Sequence, residues 1–143
     1  MRTVGRRLAF DYGDVRTGVA VSDSHGILVT PYGALQTQSE DFLATLRNLL
    51  DEIDPLYIVV GSPKHLSGEA SQKMKVVEEF CRLLESMTQV PIHRVDERLT
   101  TVTAASRLRA AGKNAKESKG QIDAVAAATI LEQALAAEKS GTL

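Results

Sequence analysis

The chain has 143 residues, 43% hydrophobic and 24% charged, with a formal net charge of −1. That balance fits one globular domain over residues 1–143 that buries its own core, and no apolar run approaches the roughly 20 residues of a membrane span, so membrane-embedded functions are excluded. One cysteine, Cys81, rules out an intrachain disulfide, and the segment 1–7 lacks the cleavage site of a secretory signal; both point to the cytoplasm.

The small net charge conceals opposite patches. Residues 107–119 carry five bases and one acid, and residues 36–60 carry five acids and one base. A polyanion is recognised by a local footprint rather than by the total, although such runs are also ordinary solvated faces.

Residues 8–11 read as an apolar strand ending in Asp11. A tight turn and a second apolar strand, residues 17–22, follow. Gly13 and Gly18 are expected to let the backbone double back, with Gly13 also leaving room for a ligand beside Asp11. A carboxylate fixed at a sheet edge is costly to keep without a cation, yet Asp and Gly are common hairpin residues and a plain turn explains this stretch equally well. Residues 23–26 have turn chemistry and place His25 in a loop. Residues 27–35 return as a third strand, where Pro31 predicts an edge position or a bulge.

Ser39 is a candidate N-cap for a helix with acids in its first turn and Phe42, Leu46, Leu49 and Ile53 at helical spacing; Asp54-Pro55 stops it. Residues 56–60 form a continuously apolar strand expected at the centre of a covered sheet. Residues 61–68 make a loop past its C-terminal end, where ligands gather in α/β sheets, so Lys64 and Ser67 could reach a phosphate. A helix from Glu69 turns Ala70, Met74, Val77, Cys81 and Leu84 to the core. Residues 90–95 form the last strand and deliver Asp96-Glu97-Arg98. Thr100 and Thr101 cap a helix over 102–111, Gly112 ends it, and residues 113–120 read as a basic, polar loop. An alanine-rich helix over 122–138 has Asp123 in its first turn, and Ala124, Ala126, Ala127 and Ala128 would let it approach a sheet closely. The order predicts an α/β fold: a mixed five-stranded sheet, three antiparallel strands then two parallel, with helices on both faces.

If strands one, four and five are neighbours, Asp11, Glu97 and Asp123 converge at one sheet edge. Three close carboxylates repel unless a divalent cation neutralises them, and hard oxygen ligands favour Mg²⁺ or Mn²⁺. Two such ions roughly 4 Å apart can activate water and stabilise the leaving oxygen of a phosphodiester. Taken singly, Asp123 would also serve as a helix N-terminal acid and Glu97 as a partner for Arg94 or Arg98.

The set Asp11-Tyr12-Gly13-Asp14-Val15-Arg16-Thr17-Gly18, Val59-Val60-Gly61-Ser62-Pro63, Val95-Asp96-Glu97-Arg98-Leu99-Thr100-Thr101 and Lys119-Gly120-Gln121-Ile122-Asp123-Ala124-Val125-Ala126-Ala127 resembles the YqgF/RuvX family over nearly the whole chain. The resemblance implies a ribonuclease H-like fold and a metal-dependent nuclease that processes the 5′ end of pre-16S ribosomal RNA, with branched-DNA cleavage as an older assignment. By matching motif, Asp11, Glu97 and Asp123 would be the catalytic carboxylates. The loop 61–68 departs from the family's usual Gly-Leu-Pro-Leu/Arg-Asn-Met-Asp-Gly.

On this reading Asp11 bridges two ions, and Glu97 and Asp123 each complete one coordination sphere. Arg16 and Arg98 are candidate phosphate clamps, and Lys113, Lys116 and Lys119 candidate guides for a structured RNA or branched DNA. Three phenylalanines, three tyrosines and no tryptophan argue against a base-stacking platform. Two other readings exist. A nucleotide phosphotransferase of the actin and sugar-kinase type also opens with a D-x-G hairpin but needs a second related domain. A noncatalytic nucleic-acid-binding ribosome-assembly factor would keep the same site without turnover. Monomer and homodimer are both compatible with the sequence.

Overall fold

Alternation along the first strand sets the architecture. β1 (Leu8–Asp11) sends Leu8 and Phe10 into one buried cluster and Ala9 into another on the opposite face of the sheet. A computed structural model describes residues 3–63, 69–96 and 115–143 of the chain, the side chains of 69–70 and 115–119 excepted. The remaining elements are β2 (Arg16–Ser22), β3 (Val29–Gln36), α1 (Phe42–Ile53), β4 (Ile58–Ser62), α2 (Glu69–Met87), β5 (Ile92–Asp96) and α3 (Ala115–Ser140). The sheet order is β3-β2-β1-β4-β5, with β1, β2 and β3 antiparallel and β1, β4 and β5 parallel, as the sequence predicts.

Leu8, Phe10, Val19, Val21, Ile58 and Val60 pack beneath α1 and α2, whose Leu46, Val77, Cys81 and Leu84 are fully buried. On the other face Ala9, Ala20 and Val59 meet Ala127, Ala128, Ile130 and Leu131 of α3. The side chains beneath α3 are smaller, so that helix lies closer to the sheet, as its alanines predict. Each buried aliphatic side chain stabilises the fold by roughly 1.5–3 kcal/mol through water exclusion.

Several boundaries differ from the sequence reading. Asp41, not Ser39, is the N-cap of α1, and no side chain caps it; Ser39 instead accepts from the Asp41 N–H at 3.1 Å, and the helix has no acid in its first turn. Gly61 and Ser62 belong to β4, held by pairing with Val95 and Asp96, rather than to the following loop. The last helix begins at Ala115, so residues 115–120 are helical rather than loop, and Asp123 sits in its third turn. The expected helix over 102–111 lies outside the described residues. Pro31 does mark both features expected of it: β3 is an edge strand, and the register shifts where Val19 pairs Gly33 while Ala20 pairs Pro31, leaving Tyr32 as the extra residue of a bulge. Cys81 is buried in the core, and burial pushes its thiol up to about 11. Among the described residues, no helix is long and apolar enough to cross a membrane.

Arg7 pins the far end of α3. Its guanidinium donates to Glu138 Oε2 at 2.7 Å and Oε1 at 3.3 Å, and to the carbonyls of Gly5 (2.7 Å) and Ser24 (3.0 Å). It also lies over the Tyr57 ring. At 4% exposure Arg7 is a buried cation with its charge matched and its donors used, which makes it a fixed point for the helix that carries Asp123.

Candidate active site at the sheet edge

Asp11 closes β1 and pairs across the ladder with Gly18 of β2. Strand alternation places Asp11 on the same face as Ala9, and Gly18 on the same face as Ala20, which is the face covered by α3. A Cβ built on Gly18 would collide with the Asp123 carbonyl and stand 3.1 Å from the Ala124 nitrogen. The helix backbone therefore rests directly on the strand at this glycine. Two acidic residues far apart in sequence, Asp11 and Asp123, are brought to the two sides of Gly18.

The glycines do not act as the sequence reading expects. Neither Gly13 nor Gly18 has a left-handed backbone. Gly13 is required because a Cβ there would strike the Arg16 carbonyl, and it also lines a cavity with Tyr12 and Asp14. Gly18 is required for close approach of α3.

Arg16 Nε donates to Asp123 Oδ2 at 2.7 Å, joining residues 107 positions apart; the two side chains are 32% and 23% exposed. Positions 16, 18 and 20 of β2 alternate onto the face of α3, which is why Arg16 can reach it. The expected phosphate clamp is therefore already engaged with a carboxylate. Asp123's place in the third turn of α3 removes its explanation as a helix N-terminal acid, because the dipole effect fades within the first turn.

The parallel strands end at the same edge. Phe10 pairs Val60, Gly61 pairs Val95, and Ser62 pairs Asp96, the last described residue of β5. His93 meets Tyr57 edge-on at 5.3 Å and Val95 packs with the cluster under α3, whereas Arg94 turns to α2 and pairs with Glu78 at 2.9 and 3.0 Å. Arg94 holds the Glu78 carboxyl below its usual range, so it is not a waiting partner for Glu97. Glu97, Arg98, Lys64, Ser67 and Lys113 lie outside the described residues, as do the side chains of Lys116 and Lys119. Among the described residues, no three His, Cys, Asp or Glu side chains stand close enough to hold a metal ion. Asp11 and Asp123 are the two members of the expected triad that the described structure contains.

On the opposite face of the same edge, Tyr12 stacks on Phe80 with centroids 4.5 Å apart, and Phe80 meets Phe10 edge-on at 5.4 Å. Burial, with Asp14 and Glu79 nearby, raises the Tyr12 phenol above its ordinary pKa. This cluster stiffens the strand end that carries Asp11. Sequence reasoning missed the Arg16–Asp123 pair, although Arg16, Gly18 and Ala20 share one parity in β2 and that pattern was available to find it.

A family model described as "RuvX: Holliday junction resolvase" matches residues 5–137. A protein of Streptomyces coelicolor named "Putative pre-16S rRNA nuclease" is 43% identical over 139 residues, covering 94% of this chain and 82% of the relative. A protein of the same name from Clavibacter michiganensis subsp. michiganensis is 41% identical, covering 96% and 86%. Another, from Mycobacterium leprae, is 42% identical, covering 90% and 71%. Among solved structures, Thermus thermophilus RuvC in complex with Holliday junction substrate superposes with a TM-score of 0.62 at 17% identity, covering 96% of this chain and 97% of that one. A second Thermus thermophilus RuvC structure gives 0.51 at 15%. The likeness to RuvC is one of fold.

Proposed function

The chain belongs to the RuvX family, and on that premise we propose that it is a divalent-metal-dependent nuclease that hydrolyses phosphodiester bonds, processing the 5′ end of pre-16S rRNA in the cytoplasm. The observation that carries this reading is the contact at Gly18, which sets Asp123 beside the strand pair that ends in Asp11. The names of the relatives support the RNA substrate. The family description and the RuvC fold favour a second reading, cleavage of branched DNA.

The donor set fits Mg²⁺ or Mn²⁺, since the side chains offered are carboxylates. Asp11 and Asp123 would hold the metal, which we take to be two ions. Glu97 would complete the set: it follows Asp96 directly, and the odd positions of β5, His93 and Val95, already face the α3 side. When bound, the ions supply Lewis acidity at the phosphoryl group and lower the pKa of the attacking water.

The chain's own residues have distinct tasks. Asp11 is carried by a strand whose neighbours are fully buried, so its backbone position is set before substrate arrives. Arg16 holds Asp123 in one orientation and offsets the repulsion between like charges at the edge. Arg98 would clamp a phosphate, Arg16 would do so only through the guanidinium nitrogens not bonded to Asp123, and Lys113, Lys116 and Lys119 would follow the backbone of the nucleic acid. Such contacts make binding fall with salt. The protein would act as a monomer or homodimer.

The test is cleavage of a pre-16S 5′-flank RNA and of a four-way DNA junction, with and without Mn²⁺, by the wild type and by Asp11→Asn and Asp123→Asn. Each variant is expected to keep its circular dichroism spectrum and to lose at least about 100-fold in rate. Full activity of Asp11→Asn would remove that residue from the chemistry. Activity indifferent to metal would end the proposal.

A further inference from the structure

We propose that the cavity beside Tyr32 is a stacking subsite for one unpaired nucleobase of the strand held at Asp11 and Asp123; the proposal deepens the nuclease reading and rests on it. The bulge in β3 is the starting observation. Because Tyr32 is the extra residue between the pairs Val19–Gly33 and Ala20–Pro31, its side chain is freed from the regular pleat. It is 48% exposed. Bulges recur beside active sites because they re-aim a side chain, and this one aims an aromatic ring.

The ring borders a cavity of about 390 Å³, lined also by Pro31, Gly33, Ala34, Gly120, Gln121, Ala124 and Val125. Four of these seven neighbours, Gly33, Ala34, Gly120 and Ala124, have no side chain beyond a methyl group, which leaves room beside the ring. Ala34 and Gly120 approach closely, a Cβ on the glycine standing 4.0 Å from the Ala34 Cβ. Gln121 is exposed at the rim and offers an amide donor and an acceptor to a base edge. Ala124 adjoins Asp123 in α3, and Ala34 pairs with Gly18, which pairs with Asp11. Two strand spacings put the cavity about 10 Å from the Asp11 backbone, within reach of a neighbouring nucleotide.

The chemistry around the ring fits a base better than a phosphate or a protein strand. Residues 26–39 contain no charged side chain, so the β3 wall of the cavity recognises through stacking and dispersion rather than ion pairing. An edge strand without charges would otherwise invite strand addition, but here Pro31 removes a backbone donor and the bulge breaks the ladder. Base–aromatic stacking tolerates any base, because every base presents a π-face. The scarcity of aromatic residues excludes an extended stacking platform; it leaves room for a single stacked position.

The absence of tryptophan supplies the test. Tyr32→Trp introduces a sole indole at the subsite of the full chain. Its emission is followed while a single-stranded oligoribonucleotide, or an abasic sugar-phosphate strand of equal length, is added with Ca²⁺ in place of Mg²⁺ to hold off cleavage. Quenching by the oligoribonucleotide and none by the abasic strand is the expected result. In the otherwise native chain Tyr32→Phe should bind as the wild type does, and Tyr32→Leu, which keeps an apolar side chain but no π-face, should weaken binding roughly 10-fold. Equal quenching by both strands, or none by either, overturns the proposal. An emission that changes with protein concentration alone, without nucleic acid, overturns it in favour of a second copy covering this edge. The outcome is separable from the nuclease reading, since base-dependent quenching does not require turnover: loss of the metal-dependent cleavage claim would leave the quenching result to stand by itself.

Discussion

Replacing Gly18 with alanine adds one methyl group where the α3 backbone touches β2. The residue does not occupy a left-handed conformation, so alanine is acceptable to the strand and the penalty is steric. The atoms in the way are the Asp123 carbonyl and the Ala124 nitrogen, and backbone cannot yield by changing rotamer. Separation must therefore open by on the order of 1 Å, because packed interiors hold few voids to absorb the methyl. Below this point α3 is clamped by Ala127, Ile130 and Leu131, all 1% exposed or less, and by Arg7 on Glu138, so the helix pivots at its Asp123 end. Overpacking of this kind costs roughly 1–3 kcal/mol, from which ~0.4–1 kcal/mol is recovered through the stiffer unfolded chain. A net loss near 1–2 kcal/mol lowers Tm by several degrees, roughly 3–8 °C. The displacement also moves Asp123 relative to Asp11, and a 1 Å error in a reacting constellation costs about 100-fold in rate. The assay pairs thermal unfolding with metal-dependent cleavage. A Gly18→Ala protein with unchanged Tm and unchanged rate would refute the argument that close approach at this glycine builds the site; a lower Tm with an unchanged rate would confine its role to stability.

Arg7→Ala should destabilise by roughly 1–3 kcal/mol, because two backbone carbonyls lose their donor and a buried side chain is lost while Glu138, 36% exposed, regains water, and urea denaturation at neutral pH would measure it. Glu138→Gln should cost less, under about 1 kcal/mol after screening at a carboxylate exposed by about a third. Burial, the largest single influence, would raise the Glu138 carboxyl, but Arg7, Tyr57 and Lys139 together outweigh it and the folded pKa is lowered. A lowered carboxylate pKa contributes stability above the unfolded value near 4.5 and loses it as pH falls through the folded value, so the gap between Glu138→Gln and wild type should narrow as pH falls below about 4.5. Glu78→Gln, which breaks a pair exposed by about a third on both sides, should change stability by under ~1 kcal/mol and less at high salt. Cys81, buried with its thiol raised to about 11, should resist iodoacetamide in the folded protein and react only on unfolding; rapid labelling of native protein would contradict its place in the core.

Local chemistry made much of this molecule readable before any coordinates. Period-two and period-3.6 patterning located the strands and helices, Pro31 announced the irregular edge strand, and Cys81 declared itself a core residue, because each depends on neighbours within a turn or a strand. Boundaries were less legible. Basic, polar residues 115–120 resembled a loop although they continue α3, and Ser39 looked like a cap although the helix starts at Phe42. Caps and ends are decided by hydrogen-bond geometry that several sequences satisfy.

The sequence by itself determined the strands of the sheet and the order of its described elements, and it nominated the carboxylates proposed to act together. Tertiary structure alone decided that Gly18 is a resting place for α3, that Arg16 closes on Asp123, and that Tyr32 is turned out by a bulge. The reason is physical: pattern reports which face of an element is buried, whereas contact between residue 16 or 18 and residue 123 exists only when the sheet, the helix and their separation are fixed together.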